Sequence, residues 1–317
     1  MHIWTRDEWP DFRHDPDRTE APLARFSARL GAVEGLQASL TPEERQEVFL
    51  RAVTGEALAS FAIEDVTLAA AEIEASVVAS LKHRAGAAGD GAPRKRSDAI
   101  AELMLEARQG QGALTGERLC HWHELLFHGI EIEDKGRWRS FPMEIVRGVT
   151  GRREDVLYTA PPPEAVPAEM ARFLEGLAAD RRPVPIRAAI AHLWFESIHP
   201  FSDGNGRIGR ALIEHVFAAG QGALPFSLSR QIEADKRGYY AALQAGRQVS
   251  GGCVDATSFV LWLLERLGDG VAEAEAEARF LVRRNAFFTR HPDLPERAER
   301  VLRRLFAEGP ARLEQGL

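Results

Sequence analysis

Two cysteines, Cys120 and Cys253, are all that the 317-residue chain contains. That count excludes a disulfide scaffold and any cysteine-rich zinc module, and it fits a reducing compartment, so a cytoplasmic location is expected. Long apolar runs are missing too. The longest, Phe259 to Leu264, is six residues, against the ~18 that a membrane span needs. The opening MHIWTRDEWPDF carries charges where a signal peptide has its apolar stretch. Neither a repeat at solenoid spacing nor a low-complexity tract of any length is present. An excess of positive charge is also lacking: the formal net charge is −7, which argues against a nonspecific nucleic-acid binder. What is there, 45% hydrophobic and 27% charged residues, is the composition of an ordinary globular protein. At this length folding buries roughly 75% of the unfolded surface, so no staple is required.

Helical periodicity dominates. Phe26, Leu30, Val33 and Leu36 step by three or four, as one face of a helix requires. Thr41-Pro42-Glu43-Glu44 reads as a helix start, with Thr at the N-cap, Pro at N1 and Glu at N3 of a capping box. Further helices are predicted over 65–82, 98–108, 115–128, 164–179, 185–197, 207–219, 233–247 and 254–288. Gly86 to Ser97, small, polar and basic, is the best linker candidate. The one convincing strand signal lies in residues 136–160, where Met143, Ile145 and Val146, a glycine-rich turn and Val156-Leu157-Tyr158 read as a β-hairpin closed by three prolines. The predicted fold class is therefore mostly α with a single small hairpin.

Chemistry concentrates in His199-Pro200-Phe201-Ser202-Asp203-Gly204-Asn205-Gly206-Arg207-Ile208-Gly209-Arg210. Gly204 and Gly206 permit positive φ and close backbone approach. The run ends at a predicted helix start, so unpaired amides and the positive dipole end face the loop, an arrangement that cradles oxyanions. Arg207 and Arg210, three apart, share a helix face and can reach one polyphosphate. Asp203 supplies a hard oxygen suited to Mg²⁺, which binds through one or two carboxylates plus substrate phosphates. His199, at the end of an apolar helix, can accept a proton near neutral pH.

This string resembles the signature of the Fic family, His-Pro-Phe-x-Asp/Glu-Gly-Asn-Gly-Arg-x-x-Arg, with every specified position present. The hairpin resembles that family's flap over the active site, and the likeness covers roughly residues 100–270. The resemblance implies a Fic-type helical core (98–270) with one β-hairpin flap, an N-terminal helical domain (1–97) and a short C-terminal helical extension (271–317). It implies transfer of AMP from ATP, with Mg²⁺, to a hydroxyl side chain of a protein. His199 would be the base and Asp203 the metal ligand. Gly204, Asn205 and Gly206 would line the anion hole, with Arg207 on phosphate and Arg210 facing the γ-phosphate. Phe201 would anchor the loop from within the core. Tyr239 and Tyr240 match a tyrosine pair that contacts the nucleoside, or else belong to the core. Arg247 stands where some relatives carry an asparagine. The edge at Ile145, Val146, Arg147 and Gly148 would pair with an extended target segment.

Upstream, Ser60-Phe61-Ala62-Ile63-Glu64-Asp65 resembles the inhibitory motif Ser/Thr-x-x-x-Glu-Gly/Asn that some Fic proteins carry. By that likeness Ser60 and Glu64 are inhibitory, with Glu64 pairing with Arg210 in place of the γ-phosphate. Asp65 stands where Gly or Asn is usual, and Asp tolerates the left-handed turn nearly as well. Self-modification and a homodimer also fit the resemblance. The rival within the fold is a phosphodiesterase that removes AMP from a modified protein.

Other conspicuous residues have plainer readings. His121, Glu124 and His128 fall on one helical stripe, but without a second cluster they read as solvated or core side chains. The basic stretch from Arg279 to Arg304 resembles the first helix of a winged-helix module, with Val301, Leu302 and Leu305 inward. A DNA-binding regulator is the different-class alternative, and the missing recognition helix counts against it.

Overall fold

A computed structural model describes residues 3–84, 93–147 and 155–308. After a 3-10 turn (Ile3–Thr5) comes a two-residue strand, β1 (Phe12–Arg13). Asp15 then caps α1 (Pro16–Ala38): its carboxylate accepts from the amides of Asp17 and Arg18. The predicted capping box opens α2 (Pro42–Ala62). There Thr41 Oγ1 accepts from Glu44 N at 3.2 Å, and Glu44 Oε2 accepts from Thr41 N at 2.9 Å. Beyond a turn in which Asp65 has φ +57° lie α3 (Ala70–Arg84), α4 (Arg96–Gln109) and α5 (Gly116–Leu126). The antiparallel hairpin β2 (Glu144–Arg147) and β3 (Asp155–Thr159) follows, with Ile145 opposite Tyr158 and a bulge at Ile145/Val146.

Next come α6 (Val166–Ala179), α7 (Val184–Ile198) and α8 (Asn205–Gly220), then α9 (Leu228–Ala234) and α10 (Lys236–Ala245). A second hairpin, β4 (Gln248–Ser250) and β5 (Cys253–Asp255), leads into α11 (Thr257–Arg290) and α12 (Glu296–Glu308).

α7 is apolar on nearly every face, and twelve of its residues are buried, so it can only be a central helix. α6, α8 and α11 pack around it, and α4 covers the far side of α8. α1 lies along α11, while α2 contacts α3, α4, α8 and α9. Phe195, Ile198, Phe201, Ile208 and Leu212 are fully buried where α7 meets α8. At roughly 1.5–3 kcal/mol per such side chain, that junction is among the best-anchored parts of the molecule. The connection between two core helices therefore holds the His199–Arg210 motif.

Several expectations shift. Besides the predicted hairpin there is a three-stranded sheet in the order β1-β5-β4, with β1 parallel to β5. Strands of two or three residues are too short for alternation to register. Their turn residues, Gly251 and Gly252, both have positive φ, and that pair was the available signal. The helix predicted over 233–247 breaks at Asp235. Its carboxylate caps α10 at Gly238 N and also accepts from Trp262 Nε1 and Arg266. The stretch 65–82 begins its helix only at Ala70, because the left-handed Asp65 ends α2 and sets a turn. In α12, Val301 is 52% exposed, not inward, and Phe306 packs on Phe280, Phe287 and Phe288 instead. No helix among the described residues is long and apolar enough to cross a membrane. Most of the linker candidate, residues 86–92, lies outside the described residues.

Candidate active site

α7 ends at His199, which caps it in the left-handed conformation (φ +52°), its amide still donating to Phe195 O at 2.9 Å. Pro200 forbids continuation. Arg139, buried in the segment before β2, clamps the exit. Its Nε donates to His199 O at 2.8 Å, Nη2 to Pro161 O at 2.5 Å, and its amide to Pro200 O at 2.9 Å. Phe201 is fully buried and stacks on the His123 ring at 4.2 Å between centroids. The Asn205 side chain folds back on the loop, Oδ1 accepting from Phe201 N at 2.9 Å and Nδ2 donating to Phe201 O at 2.8 Å.

His123 closes the frame. Its Nδ1 accepts from Gly136 N at 2.9 Å, and Nε2 lies 3.2 Å from Asp203 O. A carbonyl can only accept, so Nε2 carries the proton and the ring is neutral. Burial sustains that state, lowering the pKa to about 4. Gly204 sits at φ +78°, and a Cβ there would stand 2.6 Å from Leu126 Cδ2, so only glycine fits.

Held this way, the loop leads into α8, whose first amides have no intrahelical acceptors. Gly206 is the close-approach position: a Cβ would lie 2.6 Å from Glu64 Oε1. Arg207 donates to Asp203 Oδ1 at 3.2 Å, its guanidinium 5.3 Å from the Phe61 ring centre and 5.1 Å from that of Phe127. Arg210 is buried. Its Nε donates to Ser60 Oγ at 3.0 Å, and Nη2 donates to Ser60 O at 2.7 Å and to Glu64 Oε1 at 2.9 Å. Its Nη1 has no partner among the described residues.

A cavity of about 710 Å³ opens beside the loop, lined by Glu64, Glu196, His199, Gly206, Tyr239, Tyr240 and Arg247, with Glu144 and Ile145 of β2. That volume suits a nucleotide-sized ligand. Burial, and then the nearby Arg247 charge, lower the His199 pKa to about 3, so its imidazole is neutral. Burial raises Glu196 to about 7.

The motif residues divide by role. Asn205 and Phe201 shape the loop, and what Asn205 offers the concavity is its amide. Asp203 stands at the rim, its side chain 63% exposed. Its Oδ1 takes the Gly204 amide and Arg207, while Oδ2 has no protein partner among the described residues. A single accessible carboxylate beside an anion cradle fits Mg²⁺, which fills its other positions with phosphate and water. Tyr239 is a core residue, its hydroxyl 2.8 Å from His192 Nε2, whereas Tyr240 is 45% exposed at the cavity wall. Val146 and Arg147 are described as strand backbone in β2, and Gly148 lies outside the described residues.

His121 is half exposed, 3.7 Å from Glu106 and 3.8 Å from Glu124. No metal-binding cluster of three or more such residues occurs among the described residues. Sequence reasoning missed His123, Arg139 and Glu196 as parts of the site, and noted Arg247 only as standing where some relatives carry an asparagine. Arg247 donates to Glu196 O at 2.8 Å and to Ser197 Oγ, and stacks on Tyr158 at 4.4 Å. Only the position of Glu196, one helical turn before His199, could have drawn notice.

A central helix ends in a left-handed histidine, followed by a glycine loop and a helix N-terminus bearing two arginines, an arrangement suited to an anion. Residues 113–217 match the model of the Fic/DOC family, so the chain carries a Fic domain over that segment. Residues 2–83 match a domain of unknown function, DUF4172. A "Probable protein adenylyltransferase" of Aquifex aeolicus is 38% identical over 119 residues, 37% of this chain. The match spans about a third, 34%, of that relative's length. A Fic family protein from Desulfovibrio desulfuricans G20 superposes with TM-score 0.59 at 28% identity, over 81% of this chain and 74% of that one. Fic-1 from C. elegans, 18% identical over 83% of this chain and 74% of its own, shares the fold with TM-score 0.58.

Proposed function

We propose that the protein transfers AMP from ATP to a serine, threonine or tyrosine hydroxyl of a target protein, and that Glu64 restrains it. The observation that carries this reading is one 710 Å³ cavity lined by His199, Gly206 and Glu64, with the buried Arg210 held directly behind Glu64. The hydroxyl oxygen attacks the α-phosphorus in line as its proton passes to His199, and the bond to the bridging oxygen breaks to release pyrophosphate. His199 suits the base because it is neutral at rest and lines the cavity. The amides of Asn205, Gly206 and Arg207 receive the growing negative charge without reorganising. Asp203 would hold Mg²⁺, which would neutralise the leaving pyrophosphate. An extended target segment would dock along the outer edge of β2, whose other edge pairs with β3.

In this reading Arg210 is the γ-phosphate receptor, and Glu64 occupies its guanidinium. A helix that ends in this carboxylate thereby keeps ATP out of line. The test is incubation with labelled ATP and Mg²⁺, for wild type and Glu64→Gly, followed by mass spectrometry of the protein itself and of a lysate. AMP adducts in the Glu64→Gly sample support the reading. Their absence from both proteins, with ATP bound, would sink it. Because Glu64 lines the same cavity and can orient water, AMP release from a pre-modified target by wild type alone would favour the phosphodiesterase instead.

A further inference from the structure

We propose that Glu196 is the positioning residue of His199: its carboxylate accepts a hydrogen bond from Nδ1–H of the imidazole and leaves Nε2 bare toward the cavity. This inference rests on His199 being the base. Glu196 lies three residues earlier on α7, so the two side chains share one face of the helix. Its Oε2 is 3.7 Å from His199 Nδ1. That is too long for a hydrogen bond, yet both groups lack what they need. Nδ1 is buried without a partner among the described residues, and so is Glu196 Oε1. Buried polar atoms are rarely left so, and catalytic contacts that are loose without substrate tighten when it binds. Oε1 points the other way, where a Cβ on Gly209 would meet it at 2.9 Å. Gly209 thus leaves room for a carboxylate beneath the catalytic loop.

The chemistry depends on which nitrogen carries the proton. A base that takes a hydroxyl proton on Nε2 must hold its own proton on Nδ1, and the developing imidazolium gains from a carboxylate there. A neutral Glu196 would donate to Nδ1 and force the proton onto Nε2, the wrong tautomer. Charged and titratable groups face this carboxyl from every side. His192 and His199 lie on α7, Arg210 on α8, Tyr239 on α10, Arg247 beyond it and Glu64 after α2. The two arginines favour ionisation, while burial and Glu64 oppose it, which brings the midpoint to about 7. The rival orienter is the Glu196 backbone carbonyl, already occupied by Arg247 Nη2 at 2.8 Å.

The decisive experiment is ¹⁵N-histidine NMR on the full chain against pH. His199→Ala assigns the signals, and Glu196→Gln and Glu196→Ala are run beside wild type. Wild type should hold the proton on Nδ1 above pH ~8 and lose that preference through about 7. Glu196→Gln should erase the midpoint, and Glu196→Ala the preference, with melting temperatures recorded for each. An unchanged tautomer and unchanged profile in both variants overturn the proposal and assign the role to the carbonyl. In the Glu64→Gly background, Glu196→Gln should lower kcat for AMP transfer about 10²-fold or more, leave KM for ATP nearly unchanged, and flatten the pH profile near 7. If Glu64→Gly transfers no AMP, the functional reading fails while the NMR still decides the role of Glu196.

Discussion

Glu64 Oε1 sits 2.9 Å from Nη2 of Arg210, across 146 positions of sequence. The arginine side chain is 1% exposed and the glutamate 31%, so water screens the pair only on one side. Ser60, one helical turn earlier on α2, supplies both its hydroxyl and its carbonyl to the same guanidinium.

Removing Glu64 therefore frees Arg210 without emptying its surroundings, since Ser60 still holds Nε and Nη2. Glu64→Gly is expected to raise AMP transfer by roughly 10–10³-fold, the rate equivalent of about 1.4–4 kcal/mol. Adding Arg210→Ala should cancel that gain. A gain that survives the double substitution would mean the glycine acts by loosening α2 and not by releasing Arg210.

His199→Ala, made in the Glu64→Gly form, should cut transfer by about 10²–10⁴-fold. Affinity for ATP should hold, because in the proposed function the α8 amides and arginines would hold the phosphates. The melting temperature should change little, since the neutral ring donates and accepts no protein hydrogen bond at Nδ1. Transfer at the parental rate would remove His199 from the mechanism.

Glu56, two turns before Glu64 on α2, is buried and anchors that helix to the start of α9. Its Oε2 accepts from Ser227 Oγ and Ser229 N, each at 2.9 Å, and its Oε1 accepts from Ser229 Oγ. Glu56→Ala strands those buried donors and should cost on the order of 2–4 kcal/mol of stability. If the anchor also sets the Glu64 position, transfer should rise while the protein remains folded. Stability falling with transfer unmoved would confine Glu56 to a structural role.

Four histidines are held neutral, His123, His192 and His215 buried and His199 half-buried: His123 and His215 have pKa lowered to about 4, His192 and His199 to about 3. Below the ordinary value near 6.5, the unfolded chain binds protons that the native state does not. The histidine contribution to stability is therefore intact above pH ~6.5 and lost progressively as pH falls toward 4. Melting curves between pH 8 and 4 check this, and His215→Gln should reduce the slope. A flat profile from 6.5 to 4.5 would contradict the buried neutral state.

The helical character was legible because each long element repeats its apolar positions over three or more turns. α7 was the plainest case, with twelve buried residues. The short sheet was not legible: Phe12–Arg13 pairs with Cys253–Asp255 across most of the chain, and a two-residue strand has no period. The break at Asp235 was hidden because both flanking helices carry the same apolar spacing and only the capping carboxylate separates them.

For the site, the chemistry of the loop was written in residues 199–210, because glycines, a helix start, cations and a carboxylate need only local order to make an anion cradle. The hexapeptide from Ser60 to Asp65 named a carboxylate but not its destination. Tertiary structure decided that Glu64 meets Arg210, that Asn205 braces the loop with its side chain, and that the buried Tyr239 and the exposed Tyr240 both line the cavity. It also brought His123 and Arg139 under the loop and put Glu196 beside His199. Local sequence fixes what a segment can become, through backbone preference and periodicity. Which side chains share a buried space depends on how α2, α7, α8 and α10 pack, and burial then sets the basicity of His199 and the acidity of Glu196.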